Sequence, residues 1–269
     1  MDKKLSNIQL GAVTLRVSDL ERMKQFYTEV IGMRVLNEAA NEVTLGTAER
    51  ELVVLHEQSG VRPNPRAAGL FHMAILLPNR IELGRVLAHL IERRIDVGQG
   101  DHLVSEAFYL SDPEGNGIEL YADRPKEQWE YEENGHVKMA TEPVEYESML
   151  RSAADRPFEG LPPGTTMGHV HFKVRSLESA RQFYHEHLGF SITTDSYPGA
   201  LFLAADGYHH HIGTNVWARP VEPMGAEAGL EAWTLYVDRQ TIQDLGGDGH
   251  TLTLTDPDGI TVHIKSTDE

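Results

Sequence analysis

Residues 20–32 read LERMKQFYTEVIG, and residues 177–189 read LESARQFYHEHLG. Leu20, Met23, Phe26, Tyr27 and Gly32 recur as Leu177, Ala180, Phe183, Tyr184 and Gly189, each 157 positions on. Both sets keep the apolar spacing of an amphipathic helix that ends at glycine, so Phe26-Tyr27 and Phe183-Tyr184 are expected to pack in the core. A long fixed period marks a repeated folding unit. Working outward, a short alternating strand precedes each helix (residues 11–17 and 168–174), and β-like runs such as 42–45 and 52–55 follow it. The unit is βαβββ.

A second pair of units lies between and after these two. Gly69–Leu76 reads as a strand, residues 81–94 as a helix, and Asp112-Pro113-Glu114-Gly115 as a turn before a last strand. Gly229-Leu230 opens its counterpart 160 positions on, while the matching turn, Asp256-Pro257-Asp258-Gly259, lies only 144 positions on. The fourth unit has therefore lost about a helix's length. Residues 124–165 are charged and rich in Pro and Gly, with a short helix expected around Tyr146 to Ala154, and read as a linker. In chain order this gives an N-terminal domain of units one and two over 1–123, the linker over 124–165, and a C-terminal domain of units three and four over 166–269.

Composition narrows the chemistry. The chain of 269 residues carries a formal charge of −17, which disfavours a nucleic-acid partner, since phosphate binding depends on clustered Lys and Arg. No run approaches the roughly 18–20 apolar residues of a membrane span, and MDKKLSNIQL lacks the apolar region of a signal peptide. A soluble, cytoplasmic protein is expected, with homo-oligomerisation left open. There is no cysteine, so any metal must be held by His, Asp or Glu.

The densest motif is in unit two: Gly100-Asp101-His102, then Phe108-Tyr109, the 112–115 turn, and Glu119. Unit three carries Tyr208-His209-His210-His211, with Asn215 and Trp217 a few residues on. Four βαβββ units resemble the vicinal oxygen chelate superfamily, an α+β fold in which pairs of units curl into open β-barrels around a metal. The motif resembles the fingerprint of its extradiol ring-cleaving dioxygenases. In that family, ligands project from the first and last strand of a unit. The first-strand slot here holds Ala12, His72, His169 and Ala232, and the last-strand slot holds Val53, Glu119, His211 and His263. The resemblance implies that His72, Glu119 and His169 bind metal, as the two-imidazole, one-carboxylate facial set of non-haem Fe(II) oxygenases; Mn(II) suits the same ligands. That set is complete only if units two and three share a barrel. The linker permits this, since about forty flexible residues reach about 35 Å.

The resemblance also implies roles. His210 is the acid/base beside a bound catechol, with His209 the alternative by register; His102 and Tyr109 hydrogen-bond the substrate oxygens; Asn215 and Trp217 line the pocket; His211 occupies a ligand slot. The expected reaction is extradiol cleavage of a catechol by O2 to a ring-opened semialdehyde. A glyoxalase-like isomerase would use the same fold with a second carboxylate, and a ligand-sequestering protein would need no metal. The Asp-Pro turns are expected to be scaffold, His263 structural, and the acidic residues in 127–133 a solvated face.

Overall fold

A computed structural model describes residues 4–267 of the chain. Unit one comprises β1 (Gln9–Val17), α1 (Leu20–Glu29), β2 (Arg34–Ala39), β3 (Glu42–Gly46) and β4 (Glu51–Glu57). Unit two comprises β5 (Gly69–Leu76), α2 (Arg80–Glu92), β6 (Gly98–Asp101), β7 (Ser105–Ser111) and β8 (Gly117–Asp123). After α3 (Tyr146–Ala153), unit three has β9 (Thr166–Lys173), α4 (Leu177–Ala180) running on as a π-helical stretch, Arg181–His187, then β10 (Ser191–Thr194), β11 (Ala200–Ala204) and β12 (Ile212–Asn215). Unit four is β13 (Gly229–Val237), α5 (Arg239–Asp244), β14 (Thr251–Thr255) and β15 (Thr261–Ser266). What it has lost is therefore part of the helix and one strand, not the whole helix.

Local chemistry sets these boundaries. Asp19, Asn79, Ser176 and Asp238 each accept a backbone N–H of the following turn, satisfying donors that a helix start leaves free. Met23 and Tyr27, one helical turn apart, are buried, and Tyr184 repeats the placement of Tyr27. Both tyrosines also reach across to an Asp-Pro turn: Tyr27 donates to Asp112 at 2.9 Å and Tyr184 to Asp256 at 3.0 Å. The turns are scaffold, and the helix of one unit is tied to the turn of the next.

The strands form two curled mixed sheets, ordered β14-β15-β13-β1-β4-β3-β2 and β10-β11-β12-β9-β5-β8-β7-β6. At the middle of each, two first strands run antiparallel, β1 beside β13 and β5 beside β9. Units one and four share one sheet; units two and three share the other. Each sheet thus takes one unit from either side of the 124–165 segment. A continuous apolar core containing Trp233, Phe172, Tyr184 and Tyr27 holds the assembly together. Among the described residues, no helix is long and apolar enough to cross a membrane.

The 124–165 segment is more than a solvated tether. Trp129, Met149 and Ala153 are buried, α3 packs on α2, and residues 139–141 reach the cavity of the second sheet. Glu127, Glu130 and Glu133 remain exposed.

Candidate metal centre

Alternate residues of a strand face the same side of a sheet. On β8 this puts Glu119, Tyr121 and Asp123 on one face, and on β9 it pairs His169 with His171. A register shift on β5 between Leu70 and His72 leaves Phe71 without a partner on β9, and this bulge turns Phe71 towards the same cavity as His72. Across the β9–β5–β8 seam the expected ligands converge. His72 Nε2 lies 3.0 Å and His169 Nε2 3.1 Å from Glu119 Oε2, and the two imidazole nitrogens are 3.3 Å apart. All three residues are buried.

These separations test whether a cation fits. Ligand bonds of about 2.1 Å set at right angles place neighbouring ligand atoms about 3.0 Å apart, whereas tetrahedral angles would spread them to about 3.4 Å. The triangle is close to one face of an octahedron, the arrangement that leaves positions open opposite it. Charge agrees. Burial opposes ionisation of Glu119, but its interactions with the His169 and His72 imidazoles outweigh it and hold the carboxyl well below its ordinary range. Burial lowers His169 to about 4, so it is neutral at physiological pH, as a metal ligand must be. Among the described residues this is the one His/Asp/Glu group so arranged.

The cavity above the triad measures about 250 Å³ and is walled by Phe71, Phe202, Tyr197, Trp217 and Met139, with no Lys or Arg among its lining residues. His102 and Tyr109 stand on one side. His102 Nδ1 donates to the Ala140 carbonyl at 2.8 Å, so its Nε2 is the acceptor for the Tyr109 hydroxyl at 2.6 Å. Burial first, and then the Glu119 charge, push the Tyr109 phenol well above its usual value. Tyr109 also faces Glu119 directly across the β7–β8 ladder. His210 lies over the ring of His169, 4.1 Å between centroids, and lines the cavity; His209 sits behind it, fully buried. Trp217 is at the rim, and Asn215 reaches the cavity only through His171, to whose Nε2 it donates at 3.0 Å. His211 lies elsewhere, in a separate depression beside Tyr208, with its Nδ1 accepting the Ala205 N–H.

His171 was not singled out from the sequence, although its alternation with His169 was the available signal. It is buried, which holds its imidazole well below the normal pKa, and its ring is 4.9 Å from that of His72. Its presence follows from an asymmetry. Because His72 pairs with His171 and Ala74 with His169, the approximate two-fold of the seam relates His72 to His169 and Ala74 to His171. Glu119 pairs with Ala74, and Gly213 pairs with His171, so Gly213 is the counterpart of Glu119. The last-strand slot of unit three therefore belongs to Gly213, two residues beyond His211. A β-carbon on Gly213 would lie 2.8 Å from the His171 ring.

In the other sheet the same relationship places Ala12 and Ala232 where the two histidines stand, and His263 where Gly213 stands. Glu119 is matched there by Val54, one residue beyond Val53, because Thr14 pairs with Val54. His263 bonds Thr253 at 3.0 Å. No ligand set is assembled there among the described residues.

Comparison with known proteins accords with this architecture. The model of the Glyoxalase/Bleomycin resistance protein/Dioxygenase superfamily matches residues 9–120 and 166–241. A catechol-2,3-dioxygenase of Bacillus subtilis (strain 168) is 45% identical over 244 residues, covering 88% of this chain and 85% of that protein. A biphenyl-2,3-diol 1,2-dioxygenase of Rhodococcus globerulus is 29% identical over 134 residues, 46% of this chain and 69% of that one. Among solved structures, glyoxalase I from Zea mays superposes with a TM-score of 0.54 at 16% identity, covering 97% of this chain and 92% of that one. At that identity the likeness is one of fold.

Proposed function

This chain belongs to the glyoxalase/bleomycin resistance protein/dioxygenase superfamily, and we propose that within it the protein is an extradiol dioxygenase that opens a catechol ring with O2 at an Fe(II) held by His72, Glu119 and His169. The observation that carries this reading is the triad itself, two imidazoles and one carboxylate within 3.3 Å of one another beneath an aromatic-walled cavity. The 45% identical relative named for this activity on catechol supports it.

An iron bound there would lower the pKa of a catechol hydroxyl and hold both reactants side by side. The rest falls to the chain. Phe71, Phe202 and Trp217 form an apolar slot for the ring and keep bulk water from the triad. Tyr109, whose proton is directed to His102, leaves oxygen lone pairs towards the cavity and lends its phenol to fix a substrate oxygen. His210 accepts a substrate hydroxyl proton on Nε2, the ring nitrogen that no protein group engages, and returns it as the ring opens. The product is a ring-opened semialdehyde containing both oxygen atoms of O2. Mn(II) is the alternative cation, since the ligand set suits either ion.

The isomerase reading needs a second carboxylate, and the position that would supply it is Gly213. The test is O2 consumption by anaerobically Fe(II)-loaded protein on adding catechol, with visible spectra recorded together. Stoichiometric uptake with a yellow product is expected. One bound iron per chain without uptake across a panel of catechols would overturn the dioxygenase reading.

A further inference from the structure

Behind His210 lies a chain of hydrogen bonds that ends on a carboxylate. His210 Nδ1 is 2.8 Å from His209 Nδ1, His209 Nε2 is 2.9 Å from Asp123 Oδ1, and the Tyr208 hydroxyl donates to Asp123 Oδ2 at 2.9 Å. Tyr121 completes the series, its hydroxyl 2.8 Å from that of Tyr208. His209 is fully buried, packed edgewise against Trp129 at 5.3 Å and against the Tyr208 ring, tilted by 34°, at 4.0 Å. The arrangement has few ways to rotate.

With both imidazoles neutral, counting protons along this chain gives one consistent assignment. A carboxylate only accepts, so His209 Nε2 carries the hydrogen that faces Asp123. In a neutral imidazole the other nitrogen is then bare, and His209 Nδ1 becomes an acceptor. The short contact between the two Nδ1 atoms requires one donor, which must be His210 Nδ1–H. That leaves His210 Nε2 bare. We propose that Asp123 and His209 are positioning residues that hold His210 as its Nδ1–H tautomer, with Nε2 unprotonated towards the cavity. The logic is that of an orienting carboxylate acting on a base, here extended by one imidazole.

The inference rests on the proposed acid/base role of His210, but its strand geometry is independent of that role. Asp123 closes β8, four residues from Glu119 and on the same face, so one strand supplies both the carboxylate for the metal and the carboxylate for the base. Without the chain behind it, a free imidazole favours the Nε2–H form, which would present a donor where the reaction needs an acceptor.

The first test is the tautomeric state of His210 by nitrogen-15 NMR at fixed pH, on protein loaded with Zn(II) as a diamagnetic metal. Nδ1 protonated and Nε2 bare is expected; Nε2 protonated, or His209 doubly protonated, overturns the assignment whatever the turnover. The second compares Asp123→Ala with Asp123→Asn on Fe(II)-loaded enzyme. The alanine variant is expected to lose roughly 10- to 100-fold in kcat with metal content and KM for catechol unchanged, and its His210 signals to show mixed tautomers. The amide oxygen of asparagine can still accept from His209, while its NH2 donates to Tyr208, so this variant keeps the tautomer and most of kcat. Equal losses in both variants would assign the effect to the charge of Asp123 and overturn tautomer holding. Normal turnover in His210→Phe, with the NMR assignment intact, would instead remove the acid/base role alone.

Discussion

Gly213 stands in unit three where Glu119 stands in unit two, and the ring of His171 fills the space that a longer side chain at 213 would take. One half of the seam thus gives the site a histidine and a carboxylate, the other a histidine and a neutral imidazole beside the cavity. The asymmetry leaves a single carboxylate in the His72–Glu119–His169 group.

The contact makes Gly213→Ala a packing test. Its β-carbon would meet three His171 ring atoms at 2.8–3.0 Å, and overpacking of this kind costs about 1–3 kcal/mol. Urea unfolding should show that loss in the single variant and recover most of it when His171→Ala is added. Additive losses in the cycle would mean the two positions do not press on each other.

Metal retention should depend on the triad alone. Glu119→Ala is expected to lower Fe(II) affinity by more than the roughly 10- to 100-fold that loss of an outer hydrogen-bond partner costs. Asn215→Ala, which removes bonds to His171 and the Trp217 N–H but none to the triad, should keep iron stoichiometry. Metal analysis after dialysis decides this, and full iron in Glu119→Ala would remove the carboxylate from the ligand set.

His210→Phe should retain iron and lose roughly 10²- to 10⁴-fold in kcat, the range for a positioned acid/base. Single-turnover absorbance of the bound catechol would separate binding from ring opening. A fall in iron content equal to the fall in kcat would recast His210 as a support for His169.

Asp256 offers a pH signature remote from the site. Burial raises it from the ordinary aspartate value to about 6, against the hydrogen bonds it accepts from Tyr184, Asp258 and Ile260. The folded state therefore binds this proton more tightly than the unfolded state. Its contribution is full below about pH 4 and is lost as pH rises through 6, a swing of about 3 kcal/mol. Wild type minus Asp256→Asn stability should rise on going from pH 7 to pH 4 in urea melts, with other carboxylates cancelling in the difference. A flat difference would show that Asp256 titrates normally.

The sequence made the first strands easy to place because they sit a short, constant distance ahead of the repeated helices; His72, His169, Ala12 and Ala232 all follow from that. The last strands are harder. Aligning repeats does not fix their register, so Val53 stood for Val54 and His211 for Gly213 until the strand pairings were known. Asp123 read as the edge of a linker, although its even spacing from Glu119 puts it on the ligand face. Residues 124–165 are polar on average, and averaging hides Trp129 and Met149, whose burial pins the segment over the cavity. The β5 bulge, which aims Phe71, leaves no mark in composition.

Because β1 lies beside β13, residues 9–17 find their second sheet partner, after β4, only in residues 229–237. A chain emerging from the ribosome at about 5–20 residues per second holds its first unit for on the order of 10–40 s before that partner exists. During this interval β1, with one side paired to β4, offers an open edge to any other strand. The later sheet, whose units are neighbours in the chain, can close first and give the metal triad its geometry while the opening unit still waits. Synthesis order and sheet order therefore run from the inside out, and the site is assembled before the molecule is.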